Sequence, residues 1–184
     1  MRVMLFLLDT VFFFLVAAAL LRAWMNHLRV HMSAQPGRFA MAVTNWLVQP
    51  VRRILPRALT QSRFDWGSFM AAVLLALVYG GLWLVLVTEM TATSASPLAM
   101  VAAIATVAGK LLIRVVLQGL MILLLVFAVL SWVQPGAPVM GTLDRLCAPV
   151  LAPLRRFIPQ IGGVDLSVLV AIILLQIGLI VLGG

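Results

Sequence analysis

Long apolar runs dominate the chain and are separated by stretches rich in arginine. Met4–Trp24 and Trp66–Val87 are each long enough, at about 1.5 Å per residue, to cross a hydrocarbon core about 30 Å thick. Leu166–Leu182 is a further run without a charged side chain. A secretory signal peptide is the alternative for the first run. Its length and the closing Arg22 and Trp24 favour a membrane anchor, so we predict spanning helices at all three places.

The stretch Leu98–Val133 is too long for one ordinary span and too short for two spans with a turn. Lys110 and Arg114 interrupt it, and a charge at the centre of a span costs about 2.5–3.5 kcal/mol on insertion scales. We therefore place a span from near Leu111 to near Trp132, which brings the number of spans to four. This leaves Pro97–Gly109 as a short apolar segment lying in the interface or against the bundle.

The distribution of basic residues predicts the orientation of these spans. Residues 25–65 carry six arginines and residues 134–163 carry three, whereas the segments on the other side of the spans carry two basic residues, Arg2 and Lys110. Loops rich in Lys and Arg remain on the cytoplasmic side of a membrane. Both basic stretches are therefore expected in the cytoplasm, with the N-terminus and the C-terminus outside.

Composition supports a membrane protein and narrows the range of functions. Hydrophobic residues make up 64% of the chain and charged residues 10%, with a mean hydropathy of +1.18, far from the composition of soluble domains. The net charge of +8 suits anionic phospholipid or a cytoplasmic partner better than nucleic acid. The single cysteine, Cys147, excludes an internal disulfide framework and a thiolate metal cluster. No catalytic or nucleotide-binding motif is found, so we predict no enzymatic activity, cofactor or metal.

A short motif occurs twice, 103 residues apart. Pro50–Pro56 and Pro153–Pro159 share four of seven residues, in the pattern P-x-R-R-x-[IL]-P, and the other three positions are apolar in both. Each copy is followed by an aspartate that opens a span, Asp65 or Asp165. The repeated unit is therefore a span, a basic loop, an aspartate and a second span.

The predicted fold is all-α: a polytopic membrane protein with four transmembrane helices in two parallel hairpin repeats, residues 1–90 and 91–184. Upstream of each motif, apolar residues recur at helical spacing, which suits amphipathic helices at the membrane surface. These residues are Phe39, Val43, Trp46 and Leu47 in the first half, and Val139, Leu143, Leu146 and Val150 in the second.

Over nearly its whole length the chain resembles the YggT family of bacterial inner-membrane proteins, also called YlmG, which has relatives in plastids; the second half carries the resemblance best. The resemblance rests on Leu130–Trp132, Pro149–Pro159, Gly162-Gly163 and Asp165–Ser167. It implies an inner-membrane protein without a defining enzymatic activity. It also implies links to cell division, to osmotic stress tolerance and ion homeostasis, and in plastids to haem attachment during cytochrome assembly.

The motif residues have several candidate roles. The prolines, Pro50, Pro56, Pro153 and Pro159, are expected to make each motif a rigid bracket rather than a helix interior. The arginines, Arg52, Arg53, Arg155 and Arg156, are predicted to contact anionic lipid or a membrane or cytoplasmic protein partner; enforcement of topology and a specific anionic ligand stay open. Asp65 and Asp165 are expected to cap the following helices, to pair with these arginines, or both.

Polar residues inside the predicted spans are the remaining candidates. Asp9 is the acidic residue within a span, and Arg114 lies at a similar depth, so the two are expected to pair and join the repeats. An ion or proton pathway is the alternative for Asp9. Gln118 and Gln176 add polar groups to the third and fourth spans. Small residues on the second span, Ala72, Ala76 and Gly80, are expected at helix contacts.

These features predict a non-enzymatic assembly or scaffold factor of the bacterial inner membrane. It would contact anionic phospholipid or a protein partner through its arginine loops. A small channel or transport component for ion homeostasis is the alternative, and a conduction path lined by Asp9, Gln118 and Gln176 would favour it. Formation of a homo-oligomer stays open.

Overall fold

The computed structural model describes residues 2–30, 37–54, 64–91, 96–158 and 165–183, and over these ranges the chain is helical without strands. The six helices are α1 (Arg2–His27), α2 (Gly37–Ile54), α3 (Trp66–Thr91), α4 (Pro97–Val133), α5 (Met140–Arg155) and α6 (Leu166–Leu182). The all-α prediction is confirmed.

Three of these helices are long and apolar enough to cross a membrane. They contain Val3–His27 in α1, Trp66–Val87 in α3 and the whole of α4. Helix α6 has the bounds predicted for the last span and, at 17 residues, is shorter than the other three. The apolar runs therefore predicted the positions of α1, α3 and α6 well.

Helix α4 corrects one part of the prediction for the third span. It runs for 37 residues without a break, so Pro97–Gly109 is not a separate segment but the first part of the same helix. Pro97 occupies the first turn, where its missing N–H costs nothing, and Ser96 caps the helix by accepting from the backbone N–H of Ala99 at 3.3 Å. Within the helix Lys110 is exposed and Arg114 is paired, so neither charge requires the helix to end.

The first hydrophobic cluster joins α1, α3 and the first half of α4. Its buried side chains include Val16, Ala19, Leu75, Leu111 and Val115, together with the predicted small residues Ala72 and Ala76. At Gly80 the backbones of α3 and α4 come so close that an added Cβ would lie 2.8 Å from the carbonyl oxygen of Ile104. The predicted small-residue face is therefore a helix contact.

A second cluster joins the other half of α4 to α5 and α6. It consists of Leu124, Phe127, Leu143, Cys147, Leu151, Val168 and Ala171. Burial, with the nearby charge of Asp144 adding to it, raises the pKa of the Cys147 thiol to about 12. Helix α4 thus contributes to both clusters and connects the two halves of the chain.

Helices α2 and α5 are amphipathic, as predicted, and in α2 the large residues of the predicted apolar stripe face away from the bundle. Phe39 and Trp46 are 59% and 61% exposed. The residues packed inward are the smaller Ala40, Thr44, Val48 and Val51. In α5 the predicted Leu143 and Leu146 are buried, with Cys147 and Leu151 on the same face.

The prolines do not separate the motifs from these helices. Pro50 lies inside α2, and Pro149 and Pro153 lie inside α5. The prediction of a bracket outside any helix is wrong at Pro50 and Pro153; Pro56 and Pro159 lie outside the described residues. One proline removes a single backbone donor, while Val48, Val51 and Leu151 keep the apolar faces of both helices packed on the bundle.

Candidate functional sites at the arginine loops and inside the bundle

The first arginine loop is named after its motif, Pro50–Pro56. An ion pair between Arg52 and Asp65 joins the end of α2 to the start of α3. The Asp65 side chain is only 4% exposed and accepts from Arg52 Nη2 at 2.6 Å. It also caps α3, since the backbone N–H and the hydroxyl of Ser68 donate to it at 3.2 and 2.8 Å. Gly67 leaves room for this pair, because an added Cβ would lie 2.5 Å from Arg52 Cγ. Capping and ion pairing thus occur together.

The second loop has an equivalent ion pair between Arg155 and Asp165. Arg155 donates to Asp165 Oδ2 from Nε and Nη2, each at 2.8 Å. The backbone N–H of Ser167 donates to Asp165 Oδ1 at 3.1 Å, and the Ser167 hydroxyl donates to the same Oδ1 oxygen. Asp144 lies 3.7 Å from Arg155 Nη1. The two aspartates therefore have the same role at the start of α3 and α6.

The hydrogen bonds of the second loop change the acidity of Asp165. Burial favours the neutral carboxyl group, but the bonds from Ser167 and Arg155 outweigh it and lower the pKa of Asp165. Because this pKa is lower than in an unfolded chain, the ion pair stabilises the fold at neutral pH. That contribution is lost as the pH falls through the lowered pKa.

The two arginines of each motif differ in their surroundings. All four arginines are exposed. Arg52 and Arg155 each form an ion pair with an aspartate, whereas the second arginine of each motif forms none with another described residue. Phe157, next to Arg156, is 85% exposed. The sequence pattern treated all four arginines alike, and among the described residues the structure pairs the first arginine of each motif with an aspartate.

Asp9, Tyr79 and Arg114 form a polar cluster between α1, α3 and α4. Arg114 Nη1 lies 3.4 Å from Asp9 Oδ2, so the predicted contact is present. The hydroxyl of Tyr79 donates to Asp9 Oδ1 at 3.1 Å. Sequence reasoning missed Tyr79, although it is the only tyrosine in the chain and lies in a span without charges.

A cavity of about 270 Å³ adjoins this cluster. Its polar lining consists of Asp9, Tyr79, Lys110 and Arg114, and its remaining lining consists of Trp83, Val107, Leu111, Leu182 and Gly183. Gln118 and Gln176 are not among the lining residues. The structure therefore does not bring the two glutamines together with Asp9, as the predicted conduction path would require.

Arg22 closes the first span, as the sequence indicated, but its hydrogen bonds to α2 were not predicted. It is 6% exposed, and its Nη1 donates to Thr44 Oγ1 at 3.2 Å and to Asn45 Oδ1 at 2.7 Å. These bonds hold the amphipathic helix α2 against α1. The polar pair Thr44 and Asn45 within an otherwise apolar helix face was the available signal. Trp24 connects the two halves, since its Nε1 donates to the carbonyl of Leu146 at 3.3 Å.

We predict that Asp9→Asn and Arg114→Gln each lower the stability of the purified protein in detergent. Each single change leaves the partner charge without its counter-ion. The double variant should therefore lose about 1 kcal/mol less free energy of unfolding than the sum of the two single losses. Thermal unfolding of the four proteins measures this coupling. Additive losses would contradict a structural pair. Altered ion flux in reconstituted vesicles at unchanged stability would favour a transport role.

Comparison with known proteins identifies the family of this chain. The family model CCB3/YggT matches residues 1–86 and 99–184. Over 180 residues, the chain is 31% identical to the uncharacterized protein YggT of Escherichia coli (strain K12), covering 96% of this chain and 87% of that protein. It is 30% identical over 186 residues to an uncharacterized protein of the proC 3′ region of Vibrio alginolyticus, covering 100% and 95%. No solved structure matches. The chain belongs to the CCB3/YggT family.

Proposed function

We propose that this protein is a non-enzymatic assembly or scaffold factor of the bacterial inner membrane. Its accessible contact groups are Arg53 and Arg156, which bind anionic phospholipid head groups and a membrane or cytoplasmic protein partner. The observation that carries the proposal is the difference within each motif, where one arginine forms an ion pair with an aspartate and its exposed neighbour forms none with another described residue. The family resemblance suggests cell division, cytochrome assembly or osmotic tolerance as the process served.

The surroundings of the exposed arginines support contact with a membrane surface. The ion pairs fix the ends of α2 and α5 against the starts of α3 and α6. Large side chains near the arginines, among them Trp46 and Phe157, remain exposed. Aromatic side chains combined with cations are typical of helices that lie in the interface of an anionic bilayer. Each arginine there contributes about 1 kcal/mol.

In the proposed topology the chain crosses the membrane four times in two parallel hairpins, with both termini outside. Helix α6 is the fourth span, since 17 residues are at the short end of the usual range. We expect a reporter fused at Gly184 to be active only outside the cytoplasm, and one fused near Pro135 to be active inside it. Nine arginines in the two basic stretches motivate this expectation. Cytoplasmic activity at Gly184 would contradict the topology.

The binding role predicts the effect of Arg53→Gln combined with Arg156→Gln. Neither side chain pairs with another described residue, so insertion and thermal stability should be unchanged. The loss of about 1 kcal/mol per arginine corresponds to roughly fivefold weaker binding of anionic lipid for each residue. Native mass spectrometry of retained phosphatidylglycerol measures this effect, and osmotic tolerance of the cells is the second readout.

A matched control for this variant removes two exposed arginines elsewhere, Arg38→Gln and Arg145→Gln. This control has the same net charge as the test variant, so a general charge effect would change both equally. Equal lipid retention and equal stress tolerance in the two double variants would contradict the proposed role of Arg53 and Arg156.

A further inference from the structure

The cavity beside Asp9 has an excess of positive charge. Lys110 and Arg114 both line it, and they are four residues apart on α4, so they lie on the same face of the helix. Asp9 is the one carboxylate among the lining residues. The cavity lining therefore has a net charge of about +1, and two like charges at this spacing disfavour each other unless an anion lies between or beside them.

The guanidinium of Arg114 is only partly satisfied by the chain. It has five N–H donors, and among the described residues its one partner is Asp9, at the long distance of 3.4 Å. Arg114 Nε is buried without a hydrogen-bond partner in the described structure. Lys110 is exposed, and no described carboxylate lies within ion-pair distance of it. Both cations therefore have donors left for a ligand.

The rest of the cavity wall is apolar and lies beside the end of α6. Trp83, Val107 and Leu182 contribute to this wall. Helix α6 ends at Leu182, so the shortest of the apolar helices stops at the level of the two cations. Charged donors beside an apolar wall in a membrane-spanning bundle match a molecule with an anionic group and an acyl chain.

We propose that this cavity binds a phosphate group, with Lys110 and Arg114 as its ligands. A phosphodiester carries one negative charge, which balances the lining. Arginine presents a planar fork of donors to phosphate oxygens, and lysine supplies a compact charge. The phosphate could come from a phospholipid head group or from free inorganic phosphate. Asp9 competes with it for Arg114. The site shares no residue with the arginine loops and does not depend on the function proposed above.

Binding is tested with the full-length protein in detergent, in the background Arg53→Gln and Arg156→Gln so that the loop arginines do not contribute. The probes are short-chain phosphatidylglycerol, short-chain diacylglycerol, which has no phosphate, and inorganic phosphate. Thermal stabilisation at increasing probe concentration gives the affinity. We expect Lys110→Gln to weaken binding about tenfold, as for loss of one hydrogen bond to a charged group. Asp9→Asn should tighten binding, because it removes the competing carboxylate.

The variants with opposite expected effects separate a binding site from a structural role. Lys110→Gln changes an exposed side chain, so a loss of binding without a loss of folding supports the site, and Arg145→Gln is the control. Stabilisation by phosphatidylglycerol alone identifies a lipid ligand, and stabilisation by inorganic phosphate identifies a free anion. The proposal is overturned if neither phosphate source binds, if diacylglycerol binds as well as phosphatidylglycerol, or if Lys110→Gln leaves the affinity unchanged.

Discussion

Asp65→Ala is expected to lower the free energy of unfolding by about 3 kcal/mol. The lost carboxylate caps α3, and a cap is worth about 1 kcal/mol. Its removal also leaves the Ser68 N–H and one side of Arg52 without their partner in a site where the carboxylate was almost fully buried. Thermal or denaturant unfolding of the purified protein in detergent measures the loss.

Asp165→Ala provides the matched comparison, because Asp165 has the same bonding pattern in a more open site. Its side chain is 18% exposed, and Arg155 retains Asp144 at 3.7 Å when Asp165 is removed. The expected loss is therefore smaller, about 1–2 kcal/mol. Asp65→Asn should fall between wild type and Asp65→Ala, since it retains a capping oxygen without the charge. Equal losses at positions 65 and 165 would contradict the assigned burial.

Gly80→Leu is expected to have an effect of similar size on the packing of α3 against α4. An added Cβ would lie 2.8 Å from a backbone oxygen of Ile104, which cannot rotate away as a side chain could. Overpacking of this kind typically costs about 1–3 kcal/mol, and a leucine side chain at a backbone contact should reach the upper end. Unfolding in detergent measures it.

The neighbouring glycine is a control for this substitution. An added Cβ at Gly81 meets no atom within 4 Å, so Gly81→Leu should leave stability unchanged or raise it by up to about 1 kcal/mol through helix propensity. Both changes add the same apolar side chain to the same helix. If both substitutions had the same effect, the close contact between α3 and α4 at Gly80 would be wrong.

The sequence predicted α1, α3 and α6 because their apolar runs contain few charges or none. The prediction wrongly divided α4 into two segments, because Lys110 and Arg114 were assessed as isolated charges in lipid. In the fold, Arg114 meets Asp9 from the other half of the chain and Lys110 lines a cavity. The cost of a charge in a span depends on such long-range partners, and these are not visible in a local window.

The buried face of α2 could not be predicted from hydrophobicity alone. Phe39 and Trp46 are larger and more apolar than Ala40 and Thr44, yet the smaller residues face the bundle. In a membrane environment lipid accepts large apolar side chains, while small residues allow helices to approach. The repeated motif was more informative, because it placed Asp65 and Asp165 at helix starts near arginines. Only the structure showed which arginine of each pair forms the ion pair.

Site-specific photo-crosslinking in cells is the most direct test of whether Arg156 contacts phospholipid or a protein partner. A photoreactive residue at Phe157 keeps Arg156 intact and lies at a highly exposed position. If Arg156 binds as proposed, we expect a discrete adduct with a protein partner or with phospholipid, and we expect this adduct to be lost on Arg156→Gln. A photoreactive residue at Arg145, also exposed but outside the motif, should not give this adduct. The proposed binding role of Arg156 would be contradicted if the adducts at Phe157 were the same as those at Arg145. It would also be contradicted if Arg156→Gln left the adducts at Phe157 unchanged.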